Sequence, residues 1–255
     1  MWMRDVVSIT KPKLFIAENV KGLTDLDNVK DIIEYDFADA DNGGYIVIPA
    51  KVLYAADYGV PQSRSRVIFF GFKKSALREE ALKALTSKET PLSYDPYPQK
   101  THGTEEMPYV TCSDAFVGLE EPSVSLDPSQ KKYSKAKFMG THCQGQTEIK
   151  LDSIGPTIRS EHHGNIEYRR LSAEHGGKHH DELSAGLEER RLTVRECARI
   201  QTFPDDYEFI LPRTEEHASL SSSESYKIIG NAVPCVLAYN IAKNISEKWN
   251  LYFKP

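Results

Sequence analysis

Two apolar runs near the amino terminus constrain the fold most, because their lengths and neighbours are those of buried β-strands. The first is LFIA at residues 14–17, which lies between Pro12 and the polar pair Glu18-Asn19. The second is RVIFFGF at 66–72, which follows the loosely alternating segment GYIVIPAKVLYAADYG. The pattern predicts one strand that ends at Glu18, and two further strands joined by the loop GVPQSRSR.

Four segments have the signals of helices. DVVSIT near the amino terminus is typical of a helix end, and SALREEALKALTS at 75–87 predicts a second helix. In RRLTVRECARIQTFPDDY, Thr193 and Glu196 predict a capping box, and Pro204 is expected to end the helix. In AVPCVLAYNIAKNISEKW, apolar residues recur every four positions with Pro234 early, as in an amphipathic helix. The long stretch before the capping box is rich in Pro, Ser, Gly and His and predicts an irregular second domain.

The composition, 40% hydrophobic and 27% charged, is typical of a soluble globular protein. No apolar run approaches the roughly 20 residues of a membrane span. The amino-terminal sequence lacks the apolar stretch of a secretory signal, so we expect a cytoplasmic protein with no membrane role. The net charge of −5 argues against a generally basic nucleic-acid surface, so any contact with DNA must be local.

One local basic cluster lies in the segment SQKKYSKAK, which has no acidic residue. Its lysines are Lys131, Lys132, Lys135 and Lys137. A DNA contact and a solvated loop explain this cluster equally well, and the sequence leaves both interpretations open.

The cysteines and histidines do not indicate a metal site. The four cysteines lie far apart and form no Cys-x-x-Cys pair, so neither a zinc site nor a disulfide framework is expected. The histidines of SEHHGNIEY and HGGKHHDE lack a familiar ligand spacing, and we expect them in loops or facing DNA.

Four segments occur in a fixed order: FIAENVKGL, YGVPQSRSRVIFFGF, RRLTVRECARIQTFPDDY and YKIIGNAVPCVLAYNIA. This set resembles the later motifs of the DNA cytosine carbon-5 methyltransferases, and it covers residues 12–72 and 190–247. The part between is similar in kind to the variable recognition region of that family. The resemblance implies an α/β fold, with the carboxyl-terminal part of a Rossmann-like methyltransferase domain and a smaller irregular target-recognition domain.

The same resemblance implies a division of the chain into three regions. Residues 1–74 are expected to form a partial catalytic domain. Residues 75–224 would be the target-recognition region with its organising helix. Residues 225–255 would carry the last motif and the helix that returns to the catalytic domain.

Catalytic roles also follow from the resemblance. In that family a cysteine thiolate adds to carbon-6 of a cytosine flipped out of double-stranded DNA, and S-adenosyl-L-methionine delivers a methyl group to carbon-5. Glu18 would protonate or hydrogen-bond ring nitrogen 3, which requires a raised proton affinity, and Asn19 would help hold the loop of the nucleophile. The Gln-x-Arg-x-Arg motif matches Gln62, Arg64 and Arg66, and Arg66 would contact the carbonyl oxygen of the base. Ordinary surface or salt-bridge roles for both arginines are the alternative.

The Gly-Asn-Ala-Val-Pro segment at 230–234 resembles the last motif of the family, which lines the cofactor pocket. We therefore expect Asn231, together with Ala232 and Val233, to contact S-adenosyl-L-methionine. Capping of the last helix by Asn231 is the alternative, and both roles can hold at once. The resemblance also implies that the organising helix acts mainly as a scaffold, through Arg191, Thr193, Arg195, Glu196 and Arg199.

In the family a Phe-x-Gly-x-Gly cofactor loop and a Pro-Cys nucleophile loop precede the Glu-Asn-Val motif, and neither occurs before Glu18. The pair Pro234-Cys235 lies in the last motif, so Cys235 is not expected to be the nucleophile. We therefore expect one subunit of a split methyltransferase, with an incomplete cofactor site, an open sheet edge and a complementary amino-terminal methyltransferase chain as partner. An inactive product of a truncated gene and a non-catalytic DNA-binding or regulatory module are the open alternatives.

Overall fold

The chain forms two compact units in the computed structural model, which describes residues 2–160, 165–209 and 220–255. The first unit contains Met1–Tyr54, Ser65–Lys100 and Ala238–Pro255, and the second contains Ala55–Arg64 and Thr101–Leu237. These units differ from the regions expected from the sequence, because residues 75–100 belong to the first unit and residues 55–64 to the second. The functional roles assigned to the three regions stay predictions.

The described residues contain ten α-helices, four short 3-10 helices and five strands. In chain order the helices are α1 Trp2–Thr10, α2 Val29–Ala38, α3 Ala40–Gly43, α4 Glu79–Leu85, α5 Cys112–Ala115, α6 Pro128–Lys131, α7 His180–Ser184, α8 Val194–Ile200, α9 Ser222–Asn231 and α10 Cys235–Tyr252. The strands are β1 Leu14–Val20, β2 Tyr45–Tyr54, β3 Ser65–Lys73, β4 Tyr168–Arg170 and β5 Arg190–Arg191.

A three-stranded sheet organises the first unit. Its strand order is β1-β3-β2, and both pairings are antiparallel. A register shift in β2 lies between Ile48 and Lys51, around Pro49, which cannot donate a ladder hydrogen bond. The three strands expected from the sequence are confirmed.

The end of β1 corrects one sequence-based expectation. The strand does not end at Glu18, because the ladder continues from Glu18 opposite Ile68 to Val20 opposite Arg66. Glu18 and Asn19 therefore lie within the strand, and not in a loop that follows it.

Both faces of the sheet carry aromatic side chains. On one face Phe15 packs against Phe37 of α2, with ring centroids 5.0 Å apart, in a cluster that also contains Val7 of α1. On the other face the Phe70 ring lies 4.9 Å from that of Tyr97. Burying a side chain of this size stabilises a fold by roughly 1.5–3 kcal/mol.

Strand β1 lies at one edge of the three-stranded sheet. Among the described residues β1 pairs with β3 on one side and with no strand on the other. Ile16 on this strand is 41% exposed. Helix α1 adds an exposed apolar stripe at the helical spacing of Trp2, Val6 and Ile9. A sheet edge and an exposed apolar stripe are features that a further chain segment can cover.

Helix α8 lies in the main core cluster of the second unit. It begins at a complete capping box, in which the Thr193 hydroxyl accepts from the Glu196 amide and the Glu196 carboxylate accepts from the Thr193 amide. The helix ends at Ile200, and Thr202 has a φ of 62°, so the chain has already turned before Pro204. The predicted helix and its cap are confirmed, while Pro204 is not the residue that ends it.

The last two helices lie on either side of the Gly-Asn-Ala-Val-Pro segment. Helix α9 was not expected from the sequence, although Ser221 and Glu224 form a capping box at its start. Helix α10 was expected, and it begins directly after Pro234. Leu237 and Ile241 on the predicted apolar face of α10 are buried.

None of the helices within the described ranges has the length and apolar character needed to cross a membrane.

Candidate functional site

Glu18 and Arg66 form an ion pair on the sheet of the first unit. The Arg66 Nε lies 2.5 Å from the Glu18 Oε1. Glu18 is opposite Ile68 in the ladder, so Arg66 is its diagonal neighbour on the adjacent strand, within reach of a long side chain. The pairing register therefore brings together two of the residues that the sequence singled out.

The pair is accessible without being fully solvated. The Glu18 side chain is 29% exposed and the Arg66 side chain is 13% exposed. Burial lowers the pKa of Arg66, and the charge and hydrogen bond of Glu18 oppose that change. The guanidinium nevertheless stays charged, since arginine does not deprotonate in proteins. The carboxylate of such a pair offers a hydrogen-bond acceptor, and the guanidinium beside it offers several donors. The two side chains together can therefore bind a planar polar ligand.

Asn19 is exposed next to this pair along β1. Its side-chain oxygen accepts a hydrogen bond from the amide of Val20 at 2.8 Å. This bond holds the oxygen of the Asn19 carboxamide against the backbone of β1. The predicted contact of Asn19 with a nucleophile loop stays a prediction.

Arg64 has a different environment from Arg66. It lies in the second unit and is 2% exposed. Its guanidinium donates to the carbonyl oxygens of Ile158, Gly230 and Ala232, at 2.8, 2.7 and 3.1 Å. These contacts give Arg64 the geometry of a positioning residue for the segment around residues 230–232.

Gln62 is buried in the same unit and joins two further segments. Its amide donates to the Ile200 carbonyl at 3.2 Å and to the Gln201 side chain at 2.5 Å, at the end of α8. The Gln201 side chain in turn donates to the carbonyl of Ala232 at 2.5 Å. Two side chains of the Gln-x-Arg-x-Arg motif thus fix the same short segment of the second unit.

The Gly-Asn-Ala-Val-Pro segment leaves α9 and precedes α10. A Cβ atom at Gly230 would lie 2.3 Å from the backbone of Arg159, so only glycine fits there. Asn231 is the last residue of α9, whereas α10 begins at Cys235, so the alternative that Asn231 caps the last helix is wrong.

The residues expected to contact a cofactor have suitable chemistry for one edge of S-adenosyl-L-methionine. Asn231 is exposed and offers a carboxamide, and Ala232 and Val233 are half-buried and offer apolar surface. The carbonyl of Ala232 already accepts hydrogen bonds from Arg64 and Gln201 and is satisfied within the protein. Asn231 and Val233 are therefore the better candidates for a direct contact.

The charged residues of the organising helix region have internal partners. Arg191 is 1% exposed, donates to the carbonyl of Gly145 at 2.7 Å, and lies 4.2 Å from the centroid of the Tyr168 ring. Arg199 forms two bonds to the carboxylate of Asp205, at 2.8 and 2.7 Å. These partners support a scaffold role for this region.

A buried ionic cluster in the second unit was not expected from the sequence. Arg190 forms two bonds of 2.9 Å to the Glu196 carboxylate. The other members are Glu121, Arg169, Arg170 and Glu182. Glu121 and Arg190 are separated by 69 positions, so no local pattern could have identified this pair.

Two of the predicted loop histidines, His175 and His179, have partners within the second unit, whereas His180 is exposed. The His175 ring stacks on Phe138 with centroids 4.4 Å apart, and its Nδ1 lies 2.5 Å from the Glu189 carboxylate. His179 bonds the carbonyl of Ile149 at 3.1 Å. His162 and His163 lie outside the described residues. Within the described ranges no group of three or more His, Cys, Asp or Glu residues is arranged to hold a metal ion.

The mixed α/β fold of the chain matches the carboxyl-terminal part of a Rossmann-like methyltransferase domain, followed in the chain by an irregular region with its own core. Solved structures agree with this fold. A putative DNA modification methyltransferase encoded within an E. coli prophage has a TM-score of 0.59 at 21% identity, over 97% of this chain and 72% of that one. The Dnmt2 methyltransferase of S. pombe has a TM-score of 0.53 at 16% identity, over 94% of this chain and 68% of that one.

The chain belongs to the C-5 cytosine-specific DNA methylase family, which matches residues 3–247. The type II methyltransferase M.BspRI of Lysinibacillus sphaericus is 36% identical over 250 residues, which are 93% of this chain and 51% of that protein. M.FnuDI of Fusobacterium nucleatum is 33% identical over 262 residues, which are 93% of this chain and 65% of that protein. This chain therefore spans about one half to two thirds of the length of these curated relatives.

Proposed function

We propose that this chain supplies the base-activating part of an S-adenosyl-L-methionine-dependent enzyme that methylates carbon-5 of cytosine in double-stranded DNA. The observation that carries the proposal is the Glu18–Arg66 pair, on an accessible part of the sheet in a member of the C-5 cytosine-specific DNA methylase family. A module that only binds DNA has no use for a carboxyl group held in this way.

Attack on carbon-6 of a cytosine drives electron density onto ring nitrogen 3 and the carbonyl oxygen. Glu18 would protonate or hydrogen-bond nitrogen 3 at this step, and so lower the barrier. Arg66 would position the Glu18 carboxyl group and donate to the carbonyl oxygen as it gains charge. The methyl group itself is supplied by the bound cofactor, whose one edge Asn231 and Val233 would contact.

The attacking thiolate has to come from outside these 255 residues, because Pro-Cys occurs here only at Pro234-Cys235. A glycine-rich cofactor loop is likewise required from elsewhere. The open edge of β1 and the stripe of Trp2, Val6 and Ile9 are suitable surfaces for the segment that carries these loops. That segment is either a complementary chain or a further part of the same polypeptide.

Sequence-specific contacts with DNA would come from the irregular region between residues 101 and 190, which belongs to the second unit. Its loops rest on a buried framework that contains α8 and the ionic cluster, and loops on a rigid support suit variable recognition. The scaffold role of α8 would be to hold these loops, and not to contact the reacting base.

The proposal is tested by Glu18→Gln in an enzyme assembled from this chain and the amino-terminal part of the L. sphaericus relative. Loss of one positioned acid typically lowers the rate by about 100-fold or more, whereas DNA binding should change little. Transfer of labelled methyl groups at saturating DNA measures the rate, and fluorescence anisotropy measures binding. Glu80→Gln is the matched control, because Glu80 is an exposed glutamate at the start of α4.

Arg66→Lys in the same assembly should also lower the rate, since an ammonium group cannot reproduce the fixed donors of a guanidinium. Full methylation by the Glu18→Gln enzyme would remove Glu18 from the mechanism. A loss of DNA binding equal to the loss of rate would favour the non-catalytic DNA-binding module instead.

A further inference from the structure

The four lysines of the basic segment, residues 131–137, all have exposed side chains. Among the residues that the structure describes, none of these lysines lies within ion-pair distance of a carboxylate. The chain as a whole has a net charge of −5, and most of its other charged clusters are internally paired. The basic segment therefore has four unneutralised cations within seven residues of an otherwise acidic chain. Binding of an anion relieves the repulsion between these cations.

The backbone of the basic segment is fixed by buried groups. The amide of Val194 in α8 donates to the carbonyl of Lys132 at 2.9 Å. The guanidinium of Arg191 donates to the carbonyls of Ala136 and Lys137, at 2.9 and 3.3 Å. A solvated loop has no such anchors, so these contacts favour a segment that presents its lysines in a defined arrangement.

The burial of the segment alternates as in an extended chain. Ser134 is buried and its amide donates to the Tyr226 hydroxyl at 3.1 Å. Lys135 and Lys137, separated by the half-buried Ala136, are exposed. Alternate residues of an extended chain share one side at a spacing of roughly 6.6 Å. The ammonium groups of Lys135 and Lys137 can thus bind two successive negative charges of a regularly spaced polyanion.

The aromatic side chains in and next to the basic segment already pack against other side chains of the protein. The Lys135 Nζ lies 3.6 Å from the centroid of the Tyr133 ring. Phe138 stacks on His175, and its centroid lies 6.0 Å from that of Tyr168. The surface therefore offers cations for phosphates, and does not offer rings on which unpaired bases could stack.

We propose that the basic segment binds the phosphate backbone of duplex DNA and contributes affinity without reading base sequence. This inference rests on the proposed function for the identity of the anion. Its Lys132, Lys135 and Lys137 would each neutralise about one phosphate, and each released counterion steepens the dependence of log K on log salt by about 0.9.

The test compares two triple variants of the chain that carry the same net charge. The first is Lys132→Gln, Lys135→Gln and Lys137→Gln. The control is Lys83→Gln, Lys88→Gln and Lys243→Gln, which replaces three exposed lysines of the first unit. Anisotropy measures binding to fluorescent duplexes of several unrelated sequences between about 50 and 200 mM salt. Thermal unfolding verifies that each variant keeps its fold.

The first variant should bind every duplex more weakly, with a salt slope shallower by about 2 to 3, and the control should keep the slope of the unsubstituted chain. An unchanged slope, a loss limited to one duplex sequence, or an equal loss in the control would overturn the inference. Methyl transfer is measured separately in the assembled enzyme. Absence of transfer together with the expected change in slope would reject the proposed function and leave the phosphate contact standing.

Discussion

Arg64 and Arg66 show how two identical side chains, two positions apart, acquire different roles. The Arg66 side chain lies on the sheet, pairs with Glu18 and keeps some exposure. The Arg64 side chain is buried and donates to three backbone carbonyls. Replacing Arg64 would remove this donor from the carbonyls of Ile158 and Gly230, which costs about 1–3 kcal/mol for each buried group left unsatisfied, whereas the Ala232 carbonyl would keep its bond from Gln201. The sequence motif identified both residues. Only their environments show that Arg66 is placed to contact a ligand and that Arg64 holds the backbone of its own unit.

Cys235 is the thiol whose sequence context most resembles that of a nucleophile, and its environment argues against that role. Burial raises the pKa of Cys235, and the hydrogen bond from its own backbone amide only partly opposes this. A smaller thiolate fraction at neutral pH makes the sulfur a poor attacking group. Its amide also donates to the Gln201 carbonyl at 3.3 Å, which fixes the start of α10.

We therefore expect the Cys235→Ser variant of the assembled enzyme to form a covalent adduct with duplex DNA containing 5-fluorocytosine as readily as the unsubstituted enzyme. Mass spectrometry should find the adduct on the supplied Pro-Cys segment. Loss of the adduct on Cys235→Ser alone, with the fold intact, would show that Cys235 is the nucleophile.

At the scale of elements, the locally encoded features were predictable. The capping box at Thr193 and Glu196 fixes the start of α8 from four consecutive residues. The start of α9 has the same signal at Ser221 and Glu224, which a more systematic reading of the sequence would have found. The end of β1 was not predictable, because it depends on pairing with residues 66–68, far along the chain.

The ionic cluster was beyond sequence reasoning for the same reason, and it has a consequence for stability. Burial raises the pKa of Glu121, but the hydrogen bonds and charges of Arg190 and Arg170 outweigh this and hold the pKa below its usual value. Burial likewise raises the pKa of Glu182, and Arg169 and Arg170 lower it further than burial raises it.

A carboxylate whose folded pKa is lowered stabilises the fold above its unfolded pKa, near 4.5 here, and that contribution is lost as the pH falls through the folded pKa. We expect the thermal midpoint of the chain to fall steeply below about pH 4.5. Glu182→Gln should destabilise the protein by about 2 kcal/mol at pH 7 and make the acid dependence shallower. The control Glu80→Gln should keep the steep dependence. If the thermal midpoint of Glu182→Gln fell as steeply with decreasing pH as that of the unsubstituted chain, Glu182 would not be a source of the acid-dependent stability.

At the scale of the whole molecule, the family assignment rests on the sequence pattern, whereas the buried framework rests on contacts between distant segments. The family model matches residues 3–247, so most of the chain carries its sequence pattern. The chain also corresponds to only 51% of the L. sphaericus relative. The sequence predicted the main strands and four of the helices, and it singled out Glu18 and Arg66 as separate residues, because motif order and local signals contain them. The framework around Arg64, Arg191 and the ionic cluster depends on contacts between distant segments and required the structure.

The central claim is that this chain activates the base while another segment supplies the thiolate and the glycine-rich loop. Without a covalent bond to carbon-6, carbon-5 is a poor nucleophile, and tighter binding elsewhere cannot replace that bond. The most direct test is transfer of labelled methyl groups to duplex DNA by this chain alone, and then with the amino-terminal part of the L. sphaericus relative. The two parts of that relative, recombined in the same way, are the positive control. We predict background transfer by the chain alone and clear transfer after addition. Robust transfer by the purified chain alone, or none with the added segment while the control is active, would contradict the account.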